Sequence, residues 1–501
     1  MMRKLLSAGF AIWLGLFPVI ITANAQEPVD SAMNAKIREE GLKRSKAFET
    51  FTHFTEVIGP RLTGTPAQKT AAEYARDKLK EWGFQNARLE PWEFGRGWTL
   101  EKQTIEMIEP RYLPLLGYAE AWSSSTAGEI TGMPLMLGGK SAAELEPLRG
   151  KIKGAIVMSQ PIQTVFEDKD RMQPTTAQGD VAIGQPRHPV DPAARANAQA
   201  LTQMLRQEGP GVVLRTSMGM HGTMFVLGRD NGANALPSIV LAAEHYNLIA
   251  RMMQLGVAVK LRVNLQTKFY DQDKNSYNVI AELPGNDTAL KDEVVMLGAH
   301  LDSWHSGTGA SDNADGAAVA MEALRILKSI GAQPKRTIRV AIWSGEEEGL
   351  LGSAKYVERY LKGDDKKAER EKMSVYLNID PGTGPIYGFY MENNDAAKAI
   401  FDAWLEPWRD LGMRRNVLPG IGATDHLSFT RVGIPGFNVV QDYTDYDVRM
   451  HHTNVDTFER VHEADLQQNA IVLASFLYHA ANRKEKIPMG KATTTSNAVS
   501  P

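Results

Sequence analysis

At 501 residues, with 43% apolar and 23% charged residues, the chain has an ordinary globular composition and exceeds the usual size of one domain, so two folded units are expected. A formal net charge of -3 supplies no basic field to attract nucleic acid, which excludes that class of partner. The chain has no cysteine, which excludes disulfides, thiolate nucleophiles and cysteine zinc fingers and leaves histidine and carboxylate as the ligands for any metal.

Arg3 and Lys4 precede an apolar run that ends in the small residues Ala23 and Ala25. This pattern reads as a secretory signal peptide over residues 1–25, cleaved after Ala25, and predicts a secreted or periplasmic protein with no membrane attachment after cleavage. The apolar run over 5–21 is close to bilayer length, but paired small residues at its end are what a signal peptidase needs and an anchor does not.

Residues 26–105 form the first part of the larger domain. Apolar residues at helical spacing predict a helix over 67–82, with Gly83 as its stop; the preceding Gly59-Pro60-Arg61-Leu62-Thr63-Gly64-Thr65-Pro66 is a loop by composition, either connecting or substrate-facing. Over 106–271 the texture changes to short apolar runs, such as 155–158 and 211–214, broken by Gly- and Pro-rich turns, with a helix over 195–207. This segment reads as an inserted domain without a cluster of metal-ligand types, serving as a lid, as packing or in substrate selection.

From 272 to 484 strand-like runs at 294–299, 338–343, 375–379 and 435–440 alternate with helical patterns at 314–330, 353–361 and 396–411, and a last helix is expected over 463–482. The alternation predicts an α/β, doubly wound, mostly parallel sheet. The polar residues 485–501 read as a disordered tail.

Ligands of open α/β sheets bind at the carboxyl ends of the strands, so the residues that follow each run carry the most information. His300 and Asp302 follow the first run, Glu346-Glu347-Glu348 the second and Asp380 the third, and the loop after 435–440 reaches His451-His452. Asp312 lies in the loop that opens the helix at 314. A lone His or Asp after a strand is usually a cap, but two histidines and three carboxylates converging on one sheet edge form a ligand set. Imidazole and carboxylate without thiolate suit zinc in an open, catalytic site. The natural division places His300 on one zinc and His452 on the other, with a carboxylate to each from Glu347 and Asp380 and with Asp312 bridging. Asp302 is positioned to orient the His300 imidazole through its carboxylate.

The motifs His300-Leu301-Asp302-Ser303-Trp304, Ser311-Asp312-Asn313, Glu346 to Ser353, Asn378-Ile379-Asp380 and His451 to Thr457 resemble those of the co-catalytic zinc exopeptidases, the group of bacterial leucyl aminopeptidase and glutamate carboxypeptidase. The likeness is greatest to the plasma glutamate carboxypeptidase branch and extends to residues 58–64, 149–152 and 334–337.

The resemblance implies His300, Asp312, Glu347, Asp380 and His452 as ligands of two zinc ions and Glu346 as general base. A register shifted by one, to Glu347 and Glu348, is the alternative. It further implies that 106–271 is a protease-associated domain, that a homodimer forms, and that the substrates are short peptides, dipeptides especially, with removal of N-terminal residues as the alternative. Within that scheme His451, directly before His452, is the candidate donor to the oxyanion. Asp425-His426 is read as structural hydrogen bonding, with substrate contact as the lesser reading, His305 as an exposed bystander, and Tyr443 and Tyr446 as packing or pocket residues. A single-zinc glutaminyl cyclase and a non-catalytic receptor share this scaffold, and the filled ligand set argues against both.

Overall fold

Strand Val294–His300 is apolar on both faces: Val295, Leu297 and Ala299 point into one core and Val294 and Met296 into another. Such a strand is stable only in the middle of a sheet covered on both sides. The computed structural model describes residues 27–175 and 191–490. The expected signal peptide therefore lies outside the described residues.

Seven strands form the main sheet, in the order Gln85–Glu93, Asn275–Leu283, Thr337–Trp343, Val294–His300, Met373–Asn378, Gly436–Gln441 and Ile386–Tyr390. The four strands from Thr337–Trp343 to Gly436–Gln441 run parallel, and antiparallel partners flank them on both sides. Helices Pro66–Glu81, Asp315–Ser329, Asp395–Leu405 and Glu463–Asn482 cover one face, while Leu351–Tyr360 and the short helix His426–Thr430 cover the other. The fold is thus the expected α/β class, with helices on both faces.

One packing unit leads directly to the site. Trp343 donates its indole N–H to the Tyr376 hydroxyl at 2.8 Å, and that hydroxyl donates to Asn378 Oδ1 at 2.6 Å. The Tyr376 ring stacks on Phe429 with centroids 4.0 Å apart. A side chain at Gly298, between them in the central strand, would meet the Tyr376 hydroxyl at 2.0 Å.

Residues 97–270 form a second body whose core includes Ile105, Met107, Ile156, Leu214, Tyr246 and Leu261 and also takes in Leu62 and Trp304 from the main domain. Its sheets have four and five strands. The chain enters and leaves it along the antiparallel pair Gly97–Glu109 and Lys260–Tyr270. The boundary expected at 106 therefore falls inside a strand whose whole length pairs with the returning one. Helix Pro192–Glu208 spans the expected 195–207. The tail expected from residue 485 is packed over its first residues, because Ile487 is buried and Asn394 Nδ2 donates to the Pro488 carbonyl at 2.8 Å; residues 491–501 lie outside the described residues. Among the described residues no helix is long and apolar enough to cross a membrane.

Candidate metal centre

The carboxyl ends of the parallel strands bring together His300, Asp312, Glu346, Glu347 and Asp380, and the loop after Gly436–Gln441 adds His451 and His452. His300 Nε2 lies 3.2 Å from Asp312 Oδ1 and 3.6 Å from Asp380 Oδ1. His452 Nε2 lies 3.4 Å from Asp312 Oδ2 and 2.8 Å from Glu347 Oε2. Asp312 thus turns one oxygen to each histidine, and the cluster divides into two halves that share it.

The donors fit zinc. Tetrahedral ligands about 2.0–2.2 Å from one ion stand roughly 3.3 Å apart, close to the spacings within each half. His300 Nε2, Asp312 Oδ2 and Glu347 Oε1 are buried without a hydrogen-bond partner. Buried polar atoms left unpaired cost on the order of 1–3 kcal/mol each, so three of them spread over the two halves of one cluster mark the place of ligands.

The electrostatics point the same way. Burial would lower the His300 pKa, but Asp380 and Asp312 outweigh it and hold it well above 6.5. A field that favours the imidazolium favours a metal cation equally. Burial lowers the His452 pKa despite the opposing pull of Asp312, which keeps the imidazole in the neutral form a metal requires. Burial also raises the Glu346 and Glu347 pKa values well above the ordinary carboxylate range, with nearby Asp380 adding to both.

Local backbone features set these positions. Gly345 has φ +72°, and a side chain there would meet the Trp92 ring at 2.7 Å, so the turn that launches Glu346 and Glu347 requires glycine. The irregular turn Ala310–Ala314 presents Asp312 ahead of helix Asp315–Ser329. The Asp456 carboxylate ties that turn down, accepting from Ser311 N at 2.8 Å, Ser311 Oγ at 3.0 Å and Asp312 N at 3.2 Å. Asn313 Nδ2 donates to the Ile379 carbonyl at 2.9 Å, linking the Asp312 turn to the strand end that carries Asp380.

Glu346 Oε2 stands 4.0 Å from His300 Nε2 and is buried. Glu348 contacts neither histidine in this arrangement; its two carboxylate oxygens are buried without a partner. His451 lies over His452 with ring centroids 3.7 Å apart, and Trp304 meets His452 edge-on at 6.1 Å. His300 Nδ1 is held by the main-chain carbonyl of Asp302 at 3.0 Å, whereas the nearer carboxylate oxygen is 3.8 Å away. The orienting contact expected from the Asp302 side chain is therefore made by its backbone. The carboxylate instead accepts from Thr63 Oγ1 and Glu347 N, at 3.1 and 3.2 Å.

His426 is buried, with its ring nitrogens 2.8 Å from Thr424 Oγ1 and 3.1 Å from Glu392 Oε1, in keeping with a structural role. Asp425 is buried and adds negative charge beside Glu346. His305, expected to be exposed, is half-buried: Nε2 pairs with the Ala119 carbonyl at 2.7 Å and the ring meets Trp98 edge-on. Its Gly-Ser surroundings gave no sign that the second body packs over them. Tyr443 and Tyr446 are buried, and Tyr443 shares a hydroxyl contact of 2.7 Å with Tyr390.

Arg61 escaped the sequence reading. It is fully buried, and its guanidinium donates to the carbonyls of Leu301, Gly59, Thr308 and Gly309 at 2.7–2.8 Å and to that of Phe54 at 3.2 Å. Two of these, Leu301 and Gly309, flank the loops that carry His300 and Asp312. Its only local signal is a cation inside a Gly-Pro loop.

Residues 278–477 match the model of peptidase family M28. Carboxypeptidase Q of Bos taurus is 25% identical over 450 residues, covering 89% of this chain and 88% of that protein. A solved structure of a peptidase M28 precursor from Shewanella amazonensis superposes with a TM-score of 0.69 at 25% identity, over 92% of this chain and 99% of that one. A zinc aminopeptidase from Bacillus subtilis shares the fold at 19% identity, with a TM-score of 0.58 over 88% and 96% of the two chains.

A two-faced α/β sheet whose strand ends carry a histidine–carboxylate cluster, together with these matches, defines a zinc metallopeptidase. The chain is a metallo-exopeptidase that resembles the M28 peptidases over residues 278–477 and carboxypeptidase Q along most of its length.

Proposed function

We propose that the protein hydrolyses short peptides, dipeptides especially, with two zinc ions per chain. The observation that carries this reading is Asp312, whose two oxygens face His300 and His452 separately. His300, Asp380 and Asp312 would hold one ion, and His452, Glu347 and Asp312 the other. When bound, the pair supplies Lewis-acid polarisation of the scissile carbonyl and lowers the pKa of a shared water.

Glu346 is the general base. Its buried carboxylate takes a proton from the attacking water at Oε2 and passes it to the leaving amine, a role worth roughly 10²–10⁴ in rate. His451 is placed to donate to the developing oxyanion; its pKa, lowered to about 3 by burial and by His452, keeps it a neutral imidazole with one N–H to offer. Residues 97–270 act as a protease-associated domain that walls the site through Trp304, His305 and the loop bearing His452. The carboxypeptidase reading of the substrate follows the match to carboxypeptidase Q along most of both chains. Export through cleavage after Ala25 and a homodimeric assembly complete the proposal.

Zinc per chain by elemental analysis tests the metal count. Hydrolysis of an unblocked dipeptide and of its N- and C-blocked forms tests the terminus. Two zincs with cleavage that survives N-blocking but not C-blocking is the expected result; cleavage that survives only C-blocking makes the protein an aminopeptidase, and one zinc or none without cleavage refutes the proposal.

A further inference from the structure

His452 sits in a loop whose polar groups are satisfied largely by the second body. Arg171 from that body grips the buried Asp447 carboxylate: its main-chain N–H donates to Oδ2 at 2.7 Å, Nε to Oδ2 at 2.8 Å and Nη2 to Oδ1 at 2.6 Å. Its guanidinium also lies over the rings of Tyr443 and Tyr446, at 5.0 and 5.2 Å. The adjacent Asp170 carboxylate accepts from the main-chain N–H groups of Asp445, Asp447 and Val448 at 2.9, 2.9 and 3.1 Å. Those amides open the turn Tyr446–Met450, where no partner is available from the preceding residues of the chain.

A second grip comes from the opposite side. Val226 N donates to the His452 carbonyl at 3.1 Å, Asn454 N to the Met224 carbonyl at 3.2 Å, and Met224 N to Asn454 Oδ1 at 2.6 Å. Between the two grips His452 has φ +63°, a conformation that histidine keeps only where its surroundings impose it. A run of ring contacts connects the first grip to the ligand, because Tyr446 stacks on His451 at 5.3 Å and His451 meets His452 at a tilt, with centroids 3.7 Å apart.

We infer that Asp170 and Arg171 are positioning residues for the metal centre, and that the half built on His452 and Glu347 is complete only while the second body is docked. The inference rests on the two-metal reading above. The half built on His300 and Asp380 hangs on the central sheet and feels the Arg171 charge only from a distance, through Asp380. A bidentate, ring-stacked arginine cannot be replaced by lysine without losing one prong of the contact, so the arrangement is specific to Arg171.

The test is zinc binding by the full-length chain in competition with a chromophoric chelator, on wild type, Arg171→Ala, Arg171→Lys and Asp170→Asn. Wild type is expected to take up two zincs. In Arg171→Ala one of the two is expected to weaken by about 10–100-fold, as when an orienting partner of a ligand is removed, while the other changes by less than that. Arg171→Lys should fall between. Combining Arg171→Ala with His452→Ala should cost nothing beyond His452→Ala alone, an outcome that general destabilisation would not produce. Should Arg171→Ala fail to fold, Asp170→Asn, which keeps the arginine, is read by the same criterion. Two zincs held at wild-type affinity in a folded variant overturn the inference alone; fewer than two in wild type overturn it together with the two-metal reading.

Discussion

Replacing Arg61 with lysine tests whether the Gly-Pro loop is a mere connector. The guanidinium serves five carbonyls from three nitrogens: Nη1 meets those of Phe54, Gly59 and Thr308, Nη2 that of Gly309 and Nε that of Leu301. A lysine ammonium placed near Nη1 keeps three donors for the first three carbonyls and abandons Leu301 and Gly309, which stay buried. Two buried acceptors left unpaired at about 1–3 kcal/mol each give a loss of about 2–6 kcal/mol. Guanidinium chloride unfolding of the zinc-loaded protein, followed by far-UV circular dichroism, should show a lower midpoint at unchanged slope. The abandoned carbonyls adjoin the loops of His300 and Asp312, so zinc affinity should fall in the same variant. A midpoint shift worth less than about 0.5 kcal/mol, the range of an indifferent surface change, would refute the reasoning.

Glu346→Gln should keep both zincs by elemental analysis yet lose about 10²–10⁴ in turnover, whereas Glu348→Gln should retain activity; the reverse pattern would move the base and ligand register along by one. His452→Ala should lose one zinc per chain, because Glu347 and Asp312 alone provide too few donors to hold it, and retention of both would exclude His452 as a ligand. Removing metal with a chelator should lower the melting temperature and restoring it should raise stability, by about 2.7 kcal/mol when free zinc reaches a hundred times its dissociation constant. An unchanged melting curve would mean that the buried carboxylates do not depend on an ion. Asp456→Ala should destabilise the Asp312 turn by about 2–6 kcal/mol in chemical denaturation, since two main-chain N–H groups lose their acceptor.

The parallel strands were legible because burial on both faces writes them as unbroken apolar runs: the expected 294–299 and 338–343 became Val294–His300 and Thr337–Trp343. Edge strands such as Gln85–Glu93 left little trace, since a half-exposed strand carrying Arg88, Glu90 and Pro91 lacks that signal. The candidate ligands stood out because each follows a strand in chain order. What holds them in place did not. Arg61, Asp456, Asp170 and Arg171 act on residues hundreds of positions away, or on a turn from another body, and no local periodicity encodes such a meeting. The same limit explains His305, whose Gly-Ser neighbours suggest exposure while Trp98 and Ala119 cover it.

The second body joins the main sheet's domain through one two-stranded ribbon, Gly97–Glu109 beside Lys260–Tyr270. A ribbon of this kind resists stretching far better than it resists torsion. Away from that ribbon the body is fastened at separate places, by the Asp170–Arg171 contacts and by the pairing of Met224 and Val226 with the His452 loop. A displacement that broke these fastenings would leave the His452 loop without its partners, so the seating of the second body would bear on how long the protein retains its metal.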